Sequence, residues 1–212
     1  MIRVGSVIFT FCLLTLVSHA QTFYGTTDLK TFRDGRDKEF GDKQQSPLKE
    51  EDFDSFKGLN YFPVDNRFRV TGKFMPISGD EWLEMKTSTG KTKKFIKYGL
   101  LKFTLNDKPL TLAVYQMDPA VTAKFPDYAD LLFVPFKDRT SRTETYQGGR
   151  YMDMHKPKGK TVILDFNLAY NPNCAYGGTT WNCPIPPAEN VLDVAITAGE
   201  KRYAYSGAAK GH

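Results

Sequence analysis

The feature that most limits the fold of this chain is a series of short, strand-like segments. They recur roughly every 10–15 residues from position 67 onward, with no long helical pattern between them. Hairpin turns are predicted at residues 88–91 (STGK) and 106–108 (NDK), and aromatic residues, 14% of the chain, also favour strands. We therefore predict a mainly β fold, an antiparallel sandwich or partly closed barrel with a short N-terminal helix. The predicted strands span residues 67–74, 82–87, 92–98, 100–105, 110–117, 131–136, 150–154, 161–167 and 191–197.

The segments outside these strands define the rest of the predicted organisation. Residues 28–43 carry spaced apolar positions among many charges, and Thr27 or Asp28 can cap a helix there. Residues 150–154 and 161–167 are expected to pair with each other around a turn at 156–159. We predict a single β-rich domain over residues 28–205, preceded by a leader at 21–27 and followed by a tail at 206–212.

The N-terminus, MIRVGSVIFTFCLLTLVSHA, is typical of a secretory signal peptide. Arg3 supplies a positive charge, residues 7–17 form an apolar core, and Ser18 and Ala20 are small residues before a predicted cleavage site at Gln21. The alternative is an N-terminal membrane anchor. With cleavage we expect a periplasmic or extracellular protein with no stable insertion in the membrane, because no later stretch is apolar enough to span a bilayer.

Two cysteines remain after cleavage, Cys174 and Cys183. In an exported protein such a pair predicts one disulfide, while a thiolate metal site and free thiols remain alternatives. No histidine or cysteine spacing is diagnostic of a metal site, so no metal and no cofactor are expected. The mature charge of +4 (28 basic and 24 acidic residues) shows no basic stripe, so nucleic acid is not an expected partner.

Polar and special residues concentrate in two stretches, 133–154 and 165–190. Long loops of this composition on a β scaffold commonly carry function. These stretches also carry a resemblance to a known family. The chain resembles the family named domain of unknown function 1684 over roughly residues 29–203. The matching motifs are SPL (46–48), FKGLNYFPVD (56–65), VPFKD (134–138), ETY (144–146), GGRYMD (148–153), DFNLAYNPNCAY (165–176), CPIPPAEN (183–190) and AGEK (198–201).

The resemblance implies no reaction, since the family name assigns none, but it draws attention to these two stretches. We predict a small anionic or polar ligand in a pocket where loops 137–151 and 165–190 meet. Arginine and lysine suit an anionic group, aromatic rings form walls, and amides position polar atoms. The expected ligand-binding residues are Lys137, Arg150, Tyr146, Tyr170, Trp181, Asn167 and Asn171.

Two alternatives belong to other functional classes. A hydrolase-type enzyme would use carboxylates from Glu144, Asp165 or Glu189, two of them in one cleft and at least one with a strongly shifted pKa. A structural or interaction protein would have no pocket and would expose an apolar patch instead.

Overall fold

The computed structural model describes residues 26–177 and 180–204. The predicted signal peptide at 1–20, most of the leader at 21–27 and the tail at 206–212 lie outside these residues. No helix in the described ranges is long and apolar enough to cross a membrane.

Six antiparallel strands form one sheet in the order β5-β4-β3-β2-β1-β6. The sheet curls into a half-barrel, so the predicted mainly β, partly closed barrel with a short N-terminal helix is confirmed. Short 3-10 helices punctuate the loops, at Asn66–Phe68, Pro126–Tyr128, Phe166–Leu168, Asn173–Tyr176 and Ala188–Asn190. The strands are β1 Arg69–Lys86, β2 Thr92–Leu105, β3 Lys108–Met117, β4 Leu131–Phe136, β5 Arg150–His155 and β6 Thr161–Asp165, and the α-helices are α1 Leu29–Gly41, α2 Glu50–Phe53 and α3 Pro119–Thr122.

Both predicted hairpins are present. Strands β1 and β2 pair up to Lys86 and Thr92 around the turn at 87–91. Strands β2 and β3 are joined by Asn106 and Asp107, whose φ angles of 49° and 58° fit the left-handed positions of a two-residue hairpin turn. The predicted strands 67–74 and 82–87 are parts of the one long strand β1, because a register shift between Pro76 and Glu81 bends the strand without ending it.

Two predictions about strands are wrong. Strands β5 and β6 do not pair with each other: β5 pairs with β4 and β6 pairs with β1, at opposite edges of the sheet. Residues 191–197 form no strand, because their backbone groups make hydrogen bonds with residues 137–139 in the loop that follows β4. Leu192 N–H donates to Lys137 O at 2.8 Å, and Arg139 N–H donates to Val194 O at 2.9 Å.

Apolar side chains cover both faces of the sheet. One face packs against the C-terminal segment through Leu192, Val194 and Ile196. The other carries an aromatic cluster that includes Phe133 and Tyr151. Alternation of side chains along each strand accounts for this division.

Helix α1 packs against the aromatic face through Phe32. Of the two predicted caps, the structure uses Asp28, whose Oδ1 accepts a hydrogen bond from Thr31 N–H at 2.7 Å. Phe32, Arg36 and Phe40 are spaced by four residues and are all buried, so they form the single stripe through which the helix packs. Through this stripe α1 brings a charged side chain beside the loops described next.

Candidate functional site

The two loop stretches predicted to meet lie against each other. Tyr151 of β5 and Tyr170 exchange backbone hydrogen bonds of 2.8 and 2.9 Å, and the Tyr151 hydroxyl donates to Pro184 O. Lys137 N–H donates to Asn190 O at 3.0 Å. The segment 165–170 therefore runs from the β6 edge of the half-barrel to its β5 edge.

Arg150, predicted to hold an anionic group, is 1% exposed and serves the interior. Its Nη2 donates to Asp138 at 2.9 Å and to Ile196 O at 2.8 Å, and its Nη1 donates to Ala198 O and Glu200 O. Both terminal nitrogens are thus used to fasten the C-terminal segment to β5. Arg150 was predicted to bind an anionic group of a ligand, but in the structure its terminal nitrogens bind the Asp138 carboxylate and backbone carbonyl groups of the protein.

Other predicted ligand residues also hold the backbone. Asn171 Nδ2 donates to Glu200 Oε1 at 3.0 Å and to Lys201 O at 2.8 Å. Asn167 Nδ2 donates to Asp65 O at 3.0 Å. Both amides are buried, so they position loops around the site.

The remaining predicted residues lie at the margins of the junction. Tyr146 packs in a separate apolar cluster with Phe40 and Tyr176. Lys137 and Trp181 are half-buried. Trp181 O lies 3.4 Å from the Ser88 hydroxyl, beside the disulfide-bonded loop.

The three carboxylates considered for hydrolysis occupy different parts of the fold. Glu189 accepts hydrogen bonds from Tyr115 at 2.7 Å and Lys97 at 2.6 Å. Asp165 Oδ1 accepts from the backbone of Asn167 at 3.0 Å, while Glu144 is exposed on the loop after β4. No two of the three share a contact, and two of them have structural partners.

The cysteines predicted to pair form a disulfide between Cys174 and Cys183. The loop it closes is tied to the β1–β2 turn, where Ser88 N–H donates to Cys183 O at 2.9 Å and Cys183 N–H donates to the Ser88 hydroxyl at 3.1 Å. The bonded cysteines leave no thiolate for a metal or a nucleophile. No group of three or more histidine, cysteine, aspartate or glutamate side chains that could hold a metal ion occurs in the described ranges.

A buried polar network connects α1 with the loops. Arg36 Nη2 lies 3.3 Å from Glu200 Oε2 and 3.1 Å from the Tyr176 hydroxyl, which in turn donates to Glu200. The Arg36 guanidinium also lies 4.9 Å from the centre of the Tyr170 ring. Arg36 and Glu200 were not predicted from the sequence, because charged side chains ordinarily face solvent.

The network reaches the surface at Asp153 of β5. Asp153 is partly exposed as a residue, and its carboxylate accepts a hydrogen bond from the Tyr170 hydroxyl. It shares the aromatic face with Phe133, its cross-strand partner, and with Tyr151, whose ring centre lies 4.6 Å from that of Phe133. Burial raises the pKa of Asp153 to about 6, against the opposing effects of the Tyr170 hydrogen bond and the Arg36 charge.

More negative charge surrounds this position. Burial raises the pKa of the half-buried Tyr128, and the carboxylates of Asp153, Glu39 and Asp127 raise it further. The three carboxylates thus act electrostatically on one hydroxyl, and Glu39 also forms an ion pair with Arg36 at 3.8 Å. We call Asp153, Tyr151, Tyr170, Tyr128 and Glu39 the Asp153 cluster.

The sequence of β5 contains a pattern from which this cluster could have been predicted. Strand alternation at 150–155 places Met152 and Met154 on one face, and therefore Tyr151 and Asp153 on the other. A carboxylate that shares a buried aromatic face is unusual enough to mark a candidate site.

The sequence profile of a family described as a protein of unknown function, DUF1684, matches residues 54–201. The fold is similar to the solution NMR structure of an uncharacterized protein of Haloarcula marismortui, with a TM-score of 0.64 and 36% sequence identity over 82% of this chain and 91% of that chain. No curated protein matches the sequence.

Proposed function

Because the chain belongs to the family of proteins of unknown function DUF1684, which names no activity, we propose a function from the geometry of the site. We propose an exported binding protein that holds a small polar ligand bearing a protonated amine at the Asp153 cluster. Of the two ligand classes expected from the sequence, this is the polar one. The proposed export rests on the sequence of residues 1–20.

The observation that carries this proposal is the environment of the Asp153 carboxylate. It is partly withdrawn from water, and its one described hydrogen bond comes from the Tyr170 hydroxyl. A desolvated carboxylate gains most from a partner that brings hydrogen-bond donors and positive charge. A protonated amine supplies both.

The surroundings favour a cation over an anion. The rings of Tyr151 and Tyr170 stand edge to face with centres 5.8 Å apart, and aromatic groups beside a carboxylate are suited to ammonium groups. Glu39 and Asp127 help to raise the pKa of Tyr128, and of these two carboxylates Glu39 is itself paired with Arg36 at 3.8 Å. An anionic ligand would be repelled here, and the Arg150 that was expected to attract it is occupied by Asp138.

Three matched probes test this ligand class: benzylamine, benzyl alcohol and benzoate, which share a ring and differ in charge. Each is titrated into the isotopically labelled exported protein at pH 7.5 while backbone amide shifts are followed by NMR. We expect benzylamine to shift the amides of residues 151–155 and 170 in a saturable way. Benzyl alcohol should shift them weakly, and benzoate should leave them unchanged.

The control compares two variants, each of which replaces one carboxylate by the corresponding neutral amide. D153N should weaken benzylamine binding at least about tenfold, because a charge-assisted hydrogen bond is lost. E144Q removes an exposed carboxylate on another loop and should leave binding intact. Saturable shifts from benzoate, or equal effects of the two variants, would contradict an amine site at Asp153.

A further inference from the structure

One part of the outer sheet surface is basic and lies away from the Asp153 cluster. Lys73 of β1 lies directly opposite Lys102 of β2 on one side and Thr161 of β6 on the other. Lys160 borders the same shallow depression. Six side chains there are lysine or threonine, and all six are exposed: Thr71, Lys73, Lys102, Thr104, Lys160 and Thr161. We call this set the lysine face.

Within residues 26–177 and 180–204, no carboxylate is paired with any of the three lysines. None of Lys73, Lys102 and Lys160 forms an ion pair with any residue of the described chain. Like charges directly opposite each other on neighbouring strands are destabilising. Repulsion between the lysines thus lowers the stability of the folded protein, and an anionic partner would relieve this repulsion by pairing with the lysines.

Apolar side chains flank the lysines on the same face. Ile163 is 44% exposed and lies opposite Thr71, while Met75 is 36% exposed and two residues beyond Lys73 on β1. Strand alternation points Met75 and Ile163 to the side of Lys73 and Thr71. Basic groups beside exposed apolar groups suit the boundary between lipid headgroups and acyl chains.

We infer that the lysine face docks the protein onto an anionic lipid bilayer. The lysines would contact phosphate groups, the threonine hydroxyls would donate hydrogen bonds to them, and Met75 and Ile163 would enter the headgroup layer. A shallow sheet surface can place several lysines against a bilayer at once. This inference is independent of the amine site, since the lysine face shares no residue with the Asp153 cluster.

Vesicle binding of the exported protein tests the inference. Co-sedimentation is measured with vesicles of phosphatidylcholine alone and with vesicles containing phosphatidylglycerol, at low and at physiological salt. We expect binding only to the anionic vesicles, and weaker binding at higher salt because the charges are screened. Substitution of Lys73, Lys102 and Lys160 by glutamine should lower the partition coefficient on the order of a hundredfold, about fivefold for each lysine.

Two further variants separate the face from general charge and from apolar contact. K86Q/K91Q/K94Q removes three exposed lysines at the far end of the β1–β2 hairpin, so it changes net charge equally and should retain most of the binding. M75T/I163T should weaken binding severalfold while leaving the charge unchanged. Thermal unfolding of each variant verifies that the fold is intact.

Three results would each overturn part of this inference. Equal losses in the two triple variants would show attraction by net charge and would overturn the assignment of the lysine face. Binding to heparin through the same lysines without binding to anionic vesicles would show a soluble polyanion as the partner and would overturn the bilayer. Absence of binding to anionic vesicles at low salt would also overturn it.

Discussion

Asp153 and Arg150 are three residues apart on β5 and occupy opposite faces of the sheet, and their environments differ accordingly. Arg150 is buried with a carboxylate and three carbonyl groups around it, so its charge is compensated inside the protein. Asp153 is half-buried with one hydrogen bond from Tyr170, so its charge is only partly compensated. The first arrangement is typical of a structural ion pair, and the second is what a binding site offers to a ligand.

The pKa of Asp153 predicts a specific dependence of stability on pH. Burial raises this pKa from 3.8 to about 6, so the folded protein binds the proton more tightly than the unfolded chain does. The resulting stabilisation is complete below about pH 4 and is lost as the pH rises through about 6, a change of about 2–3 kcal/mol. Urea unfolding of wild type and D153N at pH 4.5 and 7.5 measures this difference.

We expect D153N to be more stable than wild type at pH 7.5, because it removes a poorly solvated charge, and nearly as stable at pH 4.5. The same substitution should weaken amine binding at least about tenfold, so function and stability would be opposed at this residue. A variant that is less stable than wild type at pH 7.5 would show that the Asp153 carboxylate serves the fold.

Arg150 and Asp138 make the contrasting prediction. Both side chains are 1% exposed and their nearest charged atoms lie 2.9 Å apart. R150M should destabilise the protein by about 3–5 kcal/mol, because it leaves Asp138 buried without its partner. Denaturant unfolding measures the loss, and R150M/D138N should recover part of it because neither charge remains.

A matched exposed pair serves as the control. Arg139 and Asp193 approach to 2.6 Å, but their side chains are 59% and 78% exposed. Since solvent screens such a pair, R139M should leave the unfolding midpoint nearly unchanged. Similar losses from R139M and R150M would mean that burial does not determine the contribution of these arginines.

At the scale of elements, the disulfide loop depends on contacts that lie far apart in sequence. The bond between Cys174 and Cys183 closes a short loop, and Ser88 in the β1–β2 turn holds that loop by two hydrogen bonds. Tyr176, two residues after Cys174, donates to Glu200 in the network that includes Arg36. A change in the loop should therefore alter the contacts of Arg36 on helix α1.

We expect C174S/C183S to lower the free energy of unfolding by about 2.5–3 kcal/mol, from the chain entropy restored to the unfolded state. Chemical unfolding under non-reducing conditions measures the difference, and alkylation with mass spectrometry verifies that wild type has no free thiol. S88A is the companion variant, since it weakens the loop contact while keeping the disulfide. Equal stability of wild type and C174S/C183S would mean that the other loop contacts alone fix this segment.

Turns and helix caps could be predicted from the sequence, because residues close together in the chain determine them. The turn at Asn106 and Asp107 and the cap at Asp28 follow from residue preferences within a few positions. The partners of β5 and β6 depend on the order of the whole sheet, which a local pattern does not contain. For the same reason the junction of loops 137–151 and 165–190 was expected, while the partners of Arg150 within it were not.

At the scale of the whole molecule, the half-barrel separates two surfaces. The segment from Asp165 to Tyr170 joins the two edges of the sheet and places the Asp153 cluster at the β5 edge. The lysine face lies on β1, β2 and β6, around the opposite edge. The register places Lys73, Lys102 and Asp153 on the same face of the sheet, with β3 and β4 between the lysine face and the Asp153 cluster, so the two proposed contacts occupy separate parts of that face.

Processing of the N-terminus tests the proposed export. We expect expression of the full chain in a bacterium to yield a released protein that begins at Gln21, because Ser18 and Ala20 supply the small residues at the cleavage site. N-terminal sequencing and intact mass measure this, and A20K should block cleavage while S6A, a small substitution before the apolar core, should not. A protein that retains Met1 in the membrane fraction would instead support the N-terminal anchor. In that case residues 1–20, and not the lysine face, would hold the protein at the bilayer, because a long apolar segment binds lipid far more strongly than three lysines do.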